Sequence, residues 1–172
     1  MNTPAVLITL RLVHVVSGVL WVGAAVMLTA FVLPATREGG GIRYLRQLIW
    51  VRNLPRYLNI VLGLTLLSGF ALYGNLTAVT QGAWARTPMG ITFALGGAAA
   101  LLAAVIATFV AAPAVHRAIE AGNRVDAAGA TPDAKDLATM ENDQRRYARS
   151  MRLVSGLLLV AAGAMAVARY AQ

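Results

Sequence analysis

Arg11, His14, Gly18, Trp21 and Ala25 follow one another at intervals of three and four residues inside the apolar run "LRLVHVVSGVLWVG". That spacing places all five on one face of a helix. An ionisable side chain within such a run is costly to bury in lipid and marks a candidate functional site. A neutral imidazole is a ligand for metals and for haem iron. Gly18, one turn beyond His14, leaves room for a flat macrocycle. Arg11, one turn before it, is placed to meet an anionic substituent of such a ligand or to snorkel toward the headgroups. Two readings of His14 stand open: a ligand for a bound cofactor, or a hydrogen-bond partner for a neighbouring helix. Trp21 falls in the middle of the run and reads as packing.

A second ligand to the same centre must come from another segment. His116 does not qualify. It lies about 40 Å along its own helix from the outer end, against about 15 Å for His14, at ~1.5 Å per residue. It reads as an exposed residue beside Arg117. At matching depth the chain offers Met165 first, Met89 second, and Tyr73; methionine opposite histidine is an established haem pair, and a five-coordinate iron is equally allowed.

The elements that must position these residues are membrane spans. Of the 172 residues, 58% are hydrophobic and 13% charged, more apolar surface than a soluble domain of this size can hide. Four apolar stretches, about 5–34, 56–76, 89–115 and 151–170, reach the ~20 residues a helix needs to cross a bilayer. The expectation is a single all-α domain over 1–172, an up-down bundle of four transmembrane helices. Met1-Asn2-Thr3-Pro4 lacks the basic start of a signal peptide, so the first stretch reads as a retained span. Thr3-Pro4, Thr87-Pro88 and Thr131-Pro132 each look like a cap followed by proline at the first helical position.

The net charge of +8 does not point to nucleic acid, because its distribution is topological. Arg37, Arg43, Arg46, Arg52 and Arg56 follow the first span. Arg117, Arg124, Lys135, Arg145, Arg146, Arg149 and Arg152 follow the third. Basic connections are retained in the cytoplasm, so both termini and the 77–87 loop face outward, and the lipid bilayer is the partner. Pro34 ends the first span and Gly39-Gly40-Gly41 breaks the chain. In "IRYLRQLIWVRN", Arg43, Arg46, Gln47 and Asn53 oppose Leu45, Leu48, Ile49 and Val51, which predicts a short helix in the inner interface with Tyr44 and Trp50 at headgroup depth. Residues 117–150 form a cytoplasmic helical hairpin extending spans 3 and 4, with Glu141 and Arg145 at a favourable i,i+4 spacing. Pro113 is placed to kink the third helix. Small residues such as Gly23, Gly63, Gly69, Gly96, Gly97, Gly156 and Gly163 read as points of close helix packing.

The absences narrow the chemistry. There is no cysteine, so disulfides and iron–sulfur clusters are excluded. All seven acidic residues (Glu38, Glu120, Asp126, Asp133, Asp136, Glu141, Asp143) lie outside the spans. Ion-coupled transport and intramembrane acid–base pairs normally need them inside, and no nucleophile–base pair serves hydrolysis.

The segment "LRLVHVVSGVLWVGAAVMLTAFVLPA", with a histidine seven residues before W-x-G and a proline-bounded end, resembles the first span of several bacterial four-helix families. These are copper-resistance D-like proteins, membrane-type protoporphyrinogen oxidases, and a group of uncharacterised integral membrane proteins. "LPRYLNIVLGLTLLSGFALYG" and "TPMGITFALGGAAALLAAVIATFVAAP" are most similar to the last group. The resemblance implies a four-helix bundle in the bacterial inner membrane, with His14 where the oxidase-like relatives place a haem-binding histidine. The oxidases use a basic residue in span 3, where this chain has none before Arg117. The clustered ligands a copper site needs are lacking too. The expectation is one haem b held by His14 for electron transfer or redox chemistry. The alternative is a non-enzymatic membrane subunit or assembly partner without cofactor, whether as homodimer or in a larger complex.

Overall fold

The computed structural model describes residues 3–35 and 41–171. The described residues are almost entirely helical and contain no strand. Four helices are long and apolar enough to cross a membrane: α1 (Pro4–Ala35), α3 (Leu54–Val79), α4 (Pro88–Ala128) and α5 (Ala134–Tyr170). A shorter helix, α2, covers Gly41–Arg46 and continues through a π-helical turn at Gln47–Val51. The long helices carry large apolar side chains outward. Val19, Leu67 and Phe109 are 66%, 72% and 73% exposed. Water would not tolerate so many such surfaces on four helices, whereas lipid would. The chain is an all-α membrane bundle.

Helix starts follow the local chemistry. α4 begins at Pro88, and the Thr87 hydroxyl accepts the Gly90 amide at 3.1 Å, an N-cap with proline at the first helical position. α1 begins at Pro4, with the Thr3 carbonyl accepting the amides of Val6 and Leu7. For α5 the expected cap at Thr131 is corrected. The helix begins at Ala134, and Asp133 Oδ1 accepts the Lys135 amide at 2.8 Å. A carboxylate there satisfies an orphan donor and favours the helix dipole.

Proline within helices leaves a common signature. π-helical turns at Leu28–Val32 and Ala107–Ala111 precede Pro34 and Pro113. A proline cannot donate to the carbonyl four residues back and clashes with it, and the wider turn relieves both. Pro34 therefore does not terminate α1, which runs on to Ala35. Gly41 opens α2, while Gly39, Gly40, Arg37 and Glu38 lie outside the described residues, as do Met1 and Asn2.

Two compact units emerge from the contacts. The first comprises Met1–Ala24, Arg56–Ala103 and Gly156–Gln172; the second comprises Ala25–Pro55 and Ala104–Ser155. In the first unit Trp21, Val61, Ala103 and Leu158 are buried. A Cβ on Gly96 would lie 3.2 Å from the Ala161 carbonyl, so α4 and α5 approach closely there.

The second unit buries an alanine face of α4 (Ala111, Ala114, Ala118, Ala121) together with Leu45 and Ile49 of α2 and Tyr147, Met151 and Val154 of α5. α2 seats Ile42 against Gly122, where a Cβ would meet the isoleucine at 2.5 Å, and Arg46 donates to Asn123 at 2.7 Å. Of the apolar residues on this segment, Leu45 and Ile49 are buried within the unit, whereas Val51 is 68% exposed. Arg117–Asp143, Arg124–Asp136 and Arg145–Glu141 pair along the α4–α5 extension.

The general packing role expected of the glycines is also corrected. A Cβ on Gly23, Gly63, Gly97, Gly156 or Gly163 would meet nothing within 4 Å. These positions face outward on their helices, and only some glycines, among them Gly69 and Gly96, sit at close contacts.

Candidate functional site

The sequence stripe on α1 becomes an inward face in the first unit. Ser17 and Trp21 are buried, His14 and Gly18 are half-buried, and Arg11 is exposed. The partner surface is the face of α3 that carries Thr65, Ser68 and Gly69, residues at i, i+3 and i+4.

His14 Nδ1 lies 2.9 Å from the Thr65 carbonyl oxygen. A carbonyl only accepts, so Nδ1 carries the proton and, in the neutral ring, Nε2 carries the lone pair. Ser68 Oγ stands 3.4 Å from the same nitrogen, while its own hydroxyl donates back to Leu64 O within α3. Below this, Ser17 Oγ donates to Val13 O at 2.6 Å and accepts from Thr65 Oγ1 at 2.9 Å. The Cε1–Nδ1 edge of the imidazole lies against Gly69: a Cβ there would come within 2.8 Å of Cε1 and 3.1 Å of Nδ1. One helix thus grips the ring with a backbone carbonyl on one atom and a missing side chain beside that edge.

His14 Nε2 is left over. It has no hydrogen-bond partner among the described residues, yet it is not sealed from the molecular surface. The hydroxyls of Ser17, Thr65 and Ser68 satisfy themselves within the site. An imidazole held through Nδ1 on a backbone carbonyl, with Nε2 free, is the arrangement that fixes the tautomer of metal-ligating histidines.

The other candidates are placed as follows. A Cβ on Gly18 would lie 3.7 Å from Thr65 Cγ2, an ordinary contact, so a threonine methyl occupies the space beside that glycine. Trp21 is 3% exposed and forms part of the core. Arg11 has no ion pair among the described residues. Met165 packs by its Cγ toward Gly96 of α4. Met89 is half-buried in the first turn of α4. The Tyr73 hydroxyl is 3.5 Å from Gly90 O, and its ring meets Trp84 edge-on at 5.2 Å between centroids. His14 is thus joined to α3, and no hydrogen bond links it to Tyr73. His116 is exposed and belongs to the second unit. Among the described residues no three His, Asp or Glu side chains converge on a metal-sized centre.

Ser17, Thr65, Ser68 and Gly69 were missing from the sequence-based site. The signal of the three α3 residues was present in "TLLSG", two hydroxyls and a glycine on one face of an apolar helix. What the sequence lacked was the register of α3 against α1.

No protein-family model, curated protein or solved structure matches the chain.

Proposed function

We propose that this is a multi-pass membrane protein of the bacterial inner membrane that holds one b-type haem through His14 Nε2 and serves electron transfer or redox chemistry near the outer side. The observation that carries the reading is the pinned imidazole: Nδ1 donated to the Thr65 carbonyl, Nε2 unpartnered. In lipid an unanswered lone pair is a cost, and a ligand removes it. The donor set fits a single protein ligand to iron. Bound there, a haem supplies one-electron redox chemistry.

This chain's own residues orient the imidazole through Thr65, leave room for its Cε1–Nδ1 edge at Gly69, and offer Arg11 one turn away for a propionate. The proposed topology keeps both termini outside and α2 at the inner interface, following the basic residues. The resemblance of the α1 segment to membrane protoporphyrinogen-oxidase-like proteins, in which a histidine at the position of His14 binds haem, supports the same reading.

A second reading is favoured by the closeness of the ring to α3. Contact with Gly69 and the Thr65 bond also suit a histidine that simply joins two helices in a subunit without cofactor. The absorbance spectrum of protein purified from a haem-sufficient host separates the two. A Soret band that disappears in His14→Ala is expected. Colourless, folded wild-type protein would leave only the second reading.

A further inference from the structure

The second unit carries a basic cleft that the proposed haem site does not use. Asn142, Arg145, Arg146, Arg149, Ser150 and Leu153, all on α5, line this shallow cleft, which is open at the surface. They recur at three- and four-residue spacing and so share one side of the helix. Arg145 is engaged by Glu141 at 3.4 Å and Asn142 at 2.9 Å. Arg146 and Arg149 are exposed and have no carboxylate partner among the described residues. Asp143 is paired with Arg117, Asp136 with Arg124 and Asp126 with Arg46, and Asp133 accepts the Lys135 amide.

The cleft ends where the helix changes solvent. Leu153, 62% exposed, is its last lining residue, and from Leu153 to Ala168 the chain holds no charge. Arg149 and Arg146 therefore sit about one and two turns before the apolar part of α5, near the level where phosphate meets acyl chain. Guanidinium forks match phosphate oxygens in pairs. The polar amide of Asn142 lies at the far end.

We infer that Arg146 and Arg149, with Arg145 and Asn142 beside them, form a binding site for the headgroup of an anionic phospholipid whose acyl chains pass Leu153. The site is independent of His14 and of any cofactor there.

Native mass spectrometry of the full chain in detergent, titrated with cardiolipin, phosphatidylglycerol or phosphatidylcholine, tests it. The two anionic lipids are expected to bind in preference to phosphatidylcholine. Arg146→Gln/Arg149→Gln is expected to weaken that binding about 30-fold, the equivalent of about 1 kcal/mol per arginine. Arg146→Lys/Arg149→Lys is expected to retain part of the affinity, since charge survives and the fork does not. Equal loss from Arg43→Gln/Arg52→Gln would reduce the effect to net charge and overturn the site. So would equal binding of phosphatidylcholine. Displacement of lipid by millimolar inorganic phosphate would assign the arginines to a soluble anion instead.

Discussion

The two units solve the problem of polar groups in opposite ways. Inside the first, the contacts between helices are neutral: an imidazole on a carbonyl, and hydroxyl on hydroxyl among His14, Thr65 and Ser17. The second uses one neutral cluster, in which Ser155 Oγ donates to Ala25 O and stands 2.7 Å from Thr29 Oγ1, and then turns to ion pairs along its charged hairpin. Desolvating a charge costs several kcal/mol, whereas a hydroxyl can return its proton to its own helix. The remainder differs accordingly. In the first unit the lone pair of His14 Nε2 has no partner among the described residues; in the second, exposed arginines, Arg146 and Arg149 among them, have no carboxylate partner there. On the proposed readings each is where a ligand from outside the chain binds.

The sharpest way to break this contrast is to fill the hollow beside the imidazole. Gly69→Val puts carbon where Cε1 and Nδ1 already sit, 2.8 and 3.1 Å from the new Cβ. Overpacking of this kind costs about 1–3 kcal/mol. Thermal unfolding in detergent should fall accordingly, and the Soret band should be lost as the ring leaves Thr65. Gly63→Val, on the same helix with nothing within 4 Å, should move stability by less than about 0.5 kcal/mol. Equal effects at the two glycines would mean that the ring does not rest on α3.

Removing the ring itself comes next. His14→Ala deletes one interhelical bond, for which about 0.6–2 kcal/mol is expected. If a ligand is bound, the loss exceeds this and depends on ligand supply, because binding to the folded state alone adds stability. A melting temperature that is the same with and without added haemin, in wild type and variant alike, would favour the structural reading.

How much of this was legible beforehand depends on the range of each interaction. The four spans follow from length and hydropathy, which need no partner. The Thr87 cap is local and readable; the Asp133 cap is equally local, but Thr131-Pro132 offered a competing pattern two residues earlier. The glycines show the limit. Gly63 and Gly69 look alike in "LGLTLLSG", yet one faces open space and the other an imidazole. The difference is set by the register of α3 on α1. Likewise Trp21 and His14 share a face by spacing alone, while the role of Thr65 required its carbonyl to be found 51 residues away.

Smaller effects sharpen the comparison within the second unit. Thr29→Val and Ser155→Ala should each cost about 0.6 kcal/mol and at most about 1.7, the range for hydrogen bonds between membrane helices. Their double-mutant cycle should show coupling, since the hydroxyls touch at 2.7 Å. Additive losses would mean that each hydroxyl is satisfied by backbone alone, Thr29 by Ala25 O at 2.7 Å and Ser155 by the same carbonyl at 2.9 Å.

The weakest predicted effect is the most diagnostic of solvent. Arg117 grips Asp143 with Nε and Nη2, both at 3.0 Å. The arginine side chain is 46% exposed and the aspartate 13%. A two-pronged pair at a wet surface is worth about 0.2–1 kcal/mol, so Asp143→Asn should lower stability by no more than that. The loss should shrink as salt rises from ~0.01 to ~1 M and the screening length contracts from about 30 to 3 Å. The neutral Thr29–Ser155 contact carries no charge to screen, so its variants should keep the same penalty across that range. A salt-independent loss at Asp143 would place the pair out of reach of water, and the division between a neutral unit and an ionic one would then rest on something other than solvent.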